Sequence, residues 1–288
     1  MTETSSESVS SRQVSRMRIL LFAGALTICF TLLWRHFVYV RPIVRGPSGP
    51  SVARDAFANK WSDRQIVLLG LGDSITQGLG STAGKSYFKR LAKNPPDEFP
   101  DMDGINLKKV LPNIETLNLS IAGMTSIECV DHQLPRLKQW PKEAFGVVVI
   151  TVGGNDVVHN YGRTPPREGA MYGAKLKDID VWKKNFNNRL ETIHQAVDES
   201  FPGGFHMFVG DIYDPTDGDS DVQFAGLPAW SEGSSVLTEW NGVLRETPQR
   251  DLDGQYPRRV SWPRNPLCPV LASRLSIIRR RILVLGQS

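Results

Sequence analysis

Four short apolar runs, separated by helical patterns, constrain the fold of this 288-residue chain more than any other feature. Glycine or turn residues bound most of these runs, and the third is almost entirely β-branched, as is typical of buried strands in a parallel sheet. The longest helical pattern, Val181–Phe201, places apolar residues at spacings of three and four. Strands that alternate with helices predict an α/β fold, a mostly parallel sheet with helices on both faces. The four predicted strands are Gln65–Leu71, Asn113–Leu119, Gly146–Val152 and Phe205–Val209.

An uncharged segment near the amino terminus predicts a membrane-spanning helix. Ile19–Trp34 contains 16 residues without a charge and is flanked by Arg18 and Arg35. As a helix it would span about 24 Å at about 1.5 Å per residue, and the apolar residues 37–40 would extend it toward the ~30 Å hydrocarbon core. The nearest small-x-small site for signal peptidase, Ser51–Ala53, lies far downstream. We therefore favour an uncleaved signal anchor over a cleaved signal peptide, with a buried core helix as a third alternative.

This interpretation gives a membrane-anchored protein whose body is predicted to be extracytoplasmic, or a secreted protein if the segment is cleaved. The membrane would be contacted through residues 19–40. The predicted segments are a polar leader (1–18), a transmembrane signal anchor (19–40), a linker (41–60), an α/β domain (61–255) and an atypical basic tail (256–288).

The distribution of charge argues against nucleic acid as a partner. The chain has a formal net charge of +4, but residues 1–45 alone carry six Arg and two Glu. Residues 254–288 carry seven Arg and no acidic residue, so the net charge of residues 46–253 is −7. A nucleic-acid-binding domain needs a basic surface on its folded body, and this body is acidic.

Three loops that follow the first three predicted strands carry residues suited to catalysis. Ser74 follows the first strand within Gly-Asp-Ser, and Asn118 and Gly123 follow the second. Asn155, within Gly-Gly-Asn-Asp, follows the third. In parallel sheets such loops meet at the carboxyl edge, where a glycine N–H and an Asn amide can donate to an oxyanion close to an exposed serine hydroxyl. Taken singly, each loop is equally explained as a helix cap or an ordinary turn.

Taken together and in this order, the three loops resemble the motif blocks of the SGNH/GDSL hydrolase family. The resemblance covers roughly residues 64–250 and implies a flavodoxin-like three-layer α/β/α sandwich. It also implies hydrolysis of a small-molecule ester through an acyl-enzyme, with no cofactor. By this match Ser74 is the nucleophile, and the Ser74 N–H, the Gly123 N–H and the Asn155 side chain form the oxyanion hole.

The family's final block, Asp-x-x-His, is missing from this sequence. No histidine follows His206, and a serine nucleophile needs an adjacent base near neutral pH. His159, four residues after Asn155, is the nearest candidate for that base. The remaining histidines of the body, His132, His194 and His206, are predicted to be surface or packing residues.

The missing block coincides with the basic tail. We interpret residues after about Ser261 as a frame-shifted or otherwise replaced end, and alternatively as a basic amphipathic segment for anionic membranes. The hydrolase is therefore expected to be impaired, and the alternative function is a catalytically silent, membrane-tethered ligand-binding protein.

Two further motifs do not support a cofactor or a metal. Gly78–Ser86 resembles a phosphate-binding loop, but the spacing of its glycines differs from that motif. The acidic run Asp217–Asp221 lacks the glycine and the final glutamate of a calcium loop.

Overall fold

The computed structural model describes residues 4–35, 53–212 and 227–252. The chain divides into two compact units, Met1–Arg45 and Gly46–Ser288. The helices and strands, in chain order, are α1 (Thr4–Arg35), β1 (Ile66–Gly72), α2 (Ser74–Gln77), α3 (Tyr87–Ala92), α4 (Leu107–Val110), β2 (Ile114–Asn118), α5 (Ser126–Glu128), β3 (Phe145–Thr151), α6 (Gly154–Val158), α7 (Asp180–Ser200), β4 (Phe205–Val209) and α8 (Gly233–Leu252).

The four strands form one parallel sheet in the order β2-β1-β3-β4. All four predicted strands are confirmed to within one residue at each end. The central pair, β1 and β3, is buried at every position, which explains why these two strands are continuous apolar runs rather than alternating ones.

Alternate side chains of the central strands enter two separate apolar cores, because successive residues of a strand point to opposite faces. Val67 and Leu69 join the core formed with α7 and α8. Ile66 and Leu68 join the core formed with α3 and α4. The fold is therefore a three-layer α/β/α arrangement, as predicted, and it places the loops after β1, β2 and β3 at one edge.

At the opposite edge, one arginine ties the strand starts together. The guanidinium of Arg64 donates to the carbonyl oxygens of Glu143 (2.6 Å), Lys142 (3.2 Å), Ala144 (3.1 Å) and Gly203 (2.7 Å). Because these carbonyls precede β3 and β4, Arg64 fastens the amino ends of three neighbouring strands.

In the amino-terminal unit, the described residues 4–35 form one helix, α1. Within α1, Met17–Arg35 has a mean hydropathy of 1.9 and is long and apolar enough to cross a membrane, by length and composition. The helix begins at Thr4, earlier than the predicted span, because the leader contains no glycine or proline to interrupt it. Residues 36–40 of the predicted span, most of the linker, the acidic run Asp217–Asp221 and the basic tail lie outside the described residues.

Candidate active site

The first loop forms a tight turn that places Ser74 at the start of a helix. Gly72 has φ +97°, and a Cβ added there would lie 1.9 Å from the carbonyl oxygen of Thr151. Asp73 then caps α2, because its side chain accepts a hydrogen bond from the Ile75 N–H (3.0 Å). Ser74 is the first residue of α2. Gly72 therefore permits a close contact between the ends of β1 and β3.

Asp73 is buried within a chain of hydroxyl groups. Thr151 Oγ1 donates to its carboxylate (2.7 Å) and also contacts Thr76 Oγ1 (2.8 Å), which in turn contacts the Tyr87 hydroxyl (2.5 Å). Burial raises the pKa of Asp73 to about 6, although hydrogen bonds from Thr151 and Ile75 oppose the shift. This network joins the first loop to β3 beneath Ser74.

A buried amide fixes the backbone just before the serine. The Gln133 side chain accepts from the Gly72 N–H (2.8 Å) and donates to the Gly72 carbonyl oxygen (2.7 Å). Gln133 ends a π-helical turn, Cys129–Gln133, a feature that often occurs at functional sites. Both polar groups of Gly72 are thus satisfied by one side chain, which prevents the end of β1 from rotating.

The second loop is attached to the first by backbone and side-chain hydrogen bonds. Asn118 donates through Nδ2 to the Thr76 carbonyl (2.9 Å), and the Ile121 N–H donates to the Gly72 carbonyl (3.0 Å). Gly123 has φ +82° and no atom within 4 Å of a Cβ added to it. The space beside Gly123 is therefore open, as a ligand-binding backbone position requires.

The third loop lies against the other two. Gly154 follows β3, and a Cβ added there would lie 3.7 Å from Asp73 Oδ2. The Asn155 Nδ2 group donates one hydrogen to the Met124 carbonyl (2.9 Å) and retains a second. The loops that carry Ser74, Gly123 and Asn155 are thus hydrogen-bonded to one another.

A buried acid provides a further link between the second and third loops. Asp156 is fully buried and accepts from the Ser126 N–H (2.8 Å) and from the Ser126 hydroxyl. Arg189 of α7 donates to Ser126 Oγ (2.8 Å) and pairs with Glu168 (2.6 Å). Burial raises the pKa of Asp156, and the bonds from Ser126 and the nearby Arg189 oppose that shift. Sequence reasoning missed this cluster.

Two backbone donors of the predicted oxyanion hole have no protein partner in the described part of the domain. Neither the Ser74 N–H nor the Gly123 N–H donates a hydrogen bond within residues 53–212 and 227–252. Because unpaired N–H groups favour an anionic or carbonyl ligand, this end of the sheet is suited to stabilising negative charge.

No candidate base contacts the Ser74 hydroxyl within residues 53–212 and 227–252. No hydrogen bond to Ser74 Oγ is present there, and His159 contacts the site through its backbone N–H, which donates to the Asn155 carbonyl (3.0 Å). The His159 Nδ1 atom is buried and has no hydrogen-bond partner in the described region. His159 therefore stays a predicted base.

The other histidines have structural surroundings. His132 is exposed. The His194 ring lies 5.1 Å from that of Phe205, and His206 meets Phe145 edge-on at 5.1 Å.

Comparisons with known proteins agree with the motif analysis. A model of the GDSL-like Lipase/Acylhydrolase family matches residues 71–250, more than half of the chain. The uncharacterized protein YpmR of Bacillus subtilis (strain 168) is 22% identical over 186 residues. That match covers 65% of this chain and 64% of YpmR, so it spans less than two thirds of the relative's length.

Two solved structures, TesA and Axe2, are similar to this chain at low sequence identity. TesA has a TM-score of 0.38 and 18% identity, covering 74% of this chain and 98% of TesA. Axe2, an acetylxylan esterase from Geobacillus stearothermophilus, has a TM-score of 0.38 and 16% identity, covering 78% of this chain and 94% of Axe2.

Proposed function

Since the chain belongs to the GDSL-like Lipase/Acylhydrolase family, we propose that it is a serine ester hydrolase acting on a lipid, acyl or carbohydrate ester. The Ser74 hydroxyl attacks the ester carbonyl, and the alcohol leaves as an acyl-enzyme forms. Water then attacks the acyl-enzyme and releases the acid. The negative charge on the carbonyl oxygen is stabilised by the Ser74 N–H, the Gly123 N–H and the second hydrogen of Asn155 Nδ2.

One observation carries this proposal: the three loops are joined by direct hydrogen bonds while two of the proposed donors stay unpaired. Ile121 to Gly72, Asn155 to Met124 and Ser126 to Asp156 link the loops in pairs. An ordinary set of strand-to-helix turns has no need of such links. A preorganised oxyanion hole needs them, because its donors must not reorganise when charge develops.

The proton transfers need a base, for which His159 is the candidate nearest to Asn155 along the chain. A catalytically silent ligand-binding protein is the second candidate function. The observation that favours it is the lack of any histidine after His206, where the family carries its Asp-x-x-His block. Loss of a triad base lowers catalysis by several powers of ten and leaves the oxyanion hole in place.

A fluorophosphonate probe separates the two functions, because it reacts with an activated serine. The full chain, purified in a nonionic detergent, is expected to be labelled at Ser74, and Ser74→Ala to abolish labelling. Ser81→Ala removes an exposed hydroxyl from the following loop and is the matched control, with labelling unchanged. His159→Gln is expected to slow labelling at least tenfold if His159 is the base.

Folded chain that is not labelled would contradict the hydrolase proposal and favour the silent binding protein. Label on a serine other than Ser74 would contradict the assignment of the nucleophile.

We also propose that residues 19–40 anchor the protein in a membrane, with an extracytoplasmic domain. The apolar segment Met17–Arg35 supports this by its length and composition. Extraction of membranes with alkaline carbonate tests it: an anchored protein stays with the membrane, whereas a cleaved, secreted form is soluble and lacks the amino-terminal segment.

A further inference from the structure

A short basic segment of the acidic domain follows the third loop. Residues 159–177 contain Arg163, Arg167, Lys175 and Lys177 and a single acid, Glu168. That acid is already paired with Arg189 at 2.6 Å. The basic side chains of this segment make no ion pair within the described residues, so the segment carries net positive charge within a domain whose net charge is negative.

This segment borders a groove of about 360 Å³ that has no acidic residue among the described residues of its lining. Arg163 supplies the charge at the groove, and it makes no ion pair within the described residues. The hydroxyl of Thr164 can donate, because its oxygen accepts from Asn160 Nδ2 (3.1 Å). The lining residues are Gly162, Arg163, Thr164, Pro165, Pro166, Tyr172, Gly173, Pro228 and Ala229.

The wall of the groove is held in an uncommon backbone conformation. Asn160 and Tyr161 have φ of +54° and +50°, and Gly162 continues with +71°. The Asn160 side chain stabilises the turn by accepting from the Gly162 N–H (3.1 Å) and donating to the Thr164 carbonyl (2.9 Å). Two successive non-glycine residues with positive φ cost conformational free energy, and strained backbone of this kind clusters at functional sites.

One backbone hydrogen bond connects a segment that lines the groove to the loop that carries Asn155. The Met171 N–H donates to the Asp156 carbonyl (3.0 Å), and Asp156 follows Asn155. Tyr172, the next residue after Met171, lines the groove and donates its hydroxyl to the Pro228 carbonyl (2.6 Å). The groove wall at Tyr172 is therefore connected, through the backbone of its neighbour Met171, to the segment that carries Asn155.

We propose that this groove binds an anionic oxygen group, a phosphate or a carboxylate, on the part of the ester that does not react. Arg163 recognises the group, because a guanidinium matches the geometry of both oxyanions. The substrate is then an anionic ester rather than a neutral one. This statement about the substrate rests on the proposed function, whereas anion binding in the groove does not require turnover.

The test measures binding by calorimetry with three small probes that share a glycerol-like skeleton: glycerol 3-phosphate, glycerate and glycerol. The full chain carries Ser74→Ala and is kept in a nonionic detergent. We expect at least one anion to bind and glycerol not to bind, and raised salt to weaken binding. Arg163→Gln should weaken the anion about tenfold or more, and Arg136→Gln, which changes an exposed arginine elsewhere, less than about twofold.

The preferred anion identifies phosphate or carboxylate as the recognised group. Binding of glycerol as strong as that of the anions, absence of anion binding, or full binding by a folded Arg163→Gln chain would overturn the proposal. Anion binding without fluorophosphonate labelling of the Ser74 chain would mean that the groove is correct and the hydrolase proposal is wrong. Fluorophosphonate labelling of Ser74 without anion binding would mean that the hydrolase proposal is correct and the groove proposal is wrong.

Discussion

Gly72→Ala is expected to lower the free energy of unfolding by more than the conformational cost of placing an alanine at a positive φ. The new Cβ would lie 1.9 Å from the Thr151 carbonyl oxygen, a position that no side chain can occupy without displacing the backbone. A positive φ costs an alanine about 1–2 kcal/mol. Overpacking adds about 1–3 kcal/mol, and loss of the Asp73 N–H to Thr151 hydrogen bond (2.9 Å) adds about 0.5–1.5 kcal/mol.

The sum is roughly 2.5–6.5 kcal/mol in the free energy of unfolding. Gly80→Ala is the matched control, because Gly80 has φ +77° and no atom within 4 Å of its added Cβ. It should cost only the conformational part, about 1–2 kcal/mol. The difference between the two variants therefore isolates the steric overlap between the ends of β1 and β3.

Thermal unfolding of the full chain, followed by tryptophan fluorescence in detergent, gives the measurement. For a domain of this size 1 kcal/mol lowers Tm by about 2–4 °C, so Gly72→Ala should lower Tm by roughly 5–26 °C. Equal decreases in Tm for Gly72→Ala and Gly80→Ala would refute the reasoning. The close approach of Gly72 to Thr151 would then make no contribution to the effect of the substitution.

Three further predictions concern the polar groups that hold the domain together. Ser126→Ala removes a donor to the buried Asp156 and should cost roughly 2–3 kcal/mol by urea unfolding, whereas Ser200→Ala, whose hydroxyl bonds only within its own helix, should cost under about 1 kcal/mol. Arg64→Met removes four hydrogen bonds to strand-start carbonyls and should cost roughly 2–4 kcal/mol; a loss no larger than that of the exposed control Arg136→Met would contradict the role of Arg64. Burial raises the pKa of Asp73 to about 6, so its contribution to stability is full below the unfolded pKa near 4 and is lost as pH rises through 6. Asp73→Asn should therefore gain stability relative to the parent between pH 4.5 and 7.5 in Tm measurements, and a pH-independent difference would show that Asp73 does not titrate there.

The strands and the three site loops could be predicted because their signals are local. Each strand is a short apolar run, and each loop follows its strand directly, so the position of Asn155 follows from the end of β3. The helices α3 and α4 escaped prediction, since four to six residues are too short to show a helical period.

The supporting contacts could not be predicted from the sequence. Ser126 and Asp156 are 30 residues apart, and Arg189 reaches Ser126 across 63 residues. Gln133 is 61 residues from Gly72. No periodicity links such positions, because their pairing depends on how α7 and the π-helical turn pack against the sheet.

The hydrogen bonds among the three loops have a consequence for how the proposed oxyanion hole depends on the rest of the chain. Every residue that joins Ser74, Gly123 and Asn155 comes from β1, β2, β3 or the segments directly after them. Among the described residues, the contacts that position the proposed oxyanion-hole donors therefore lie within the first three strands and the loops after them. If the proposed hydrolase lacks only its base, a histidine-bearing peptide fused at the carboxyl end is a direct route for engineering turnover onto this chain.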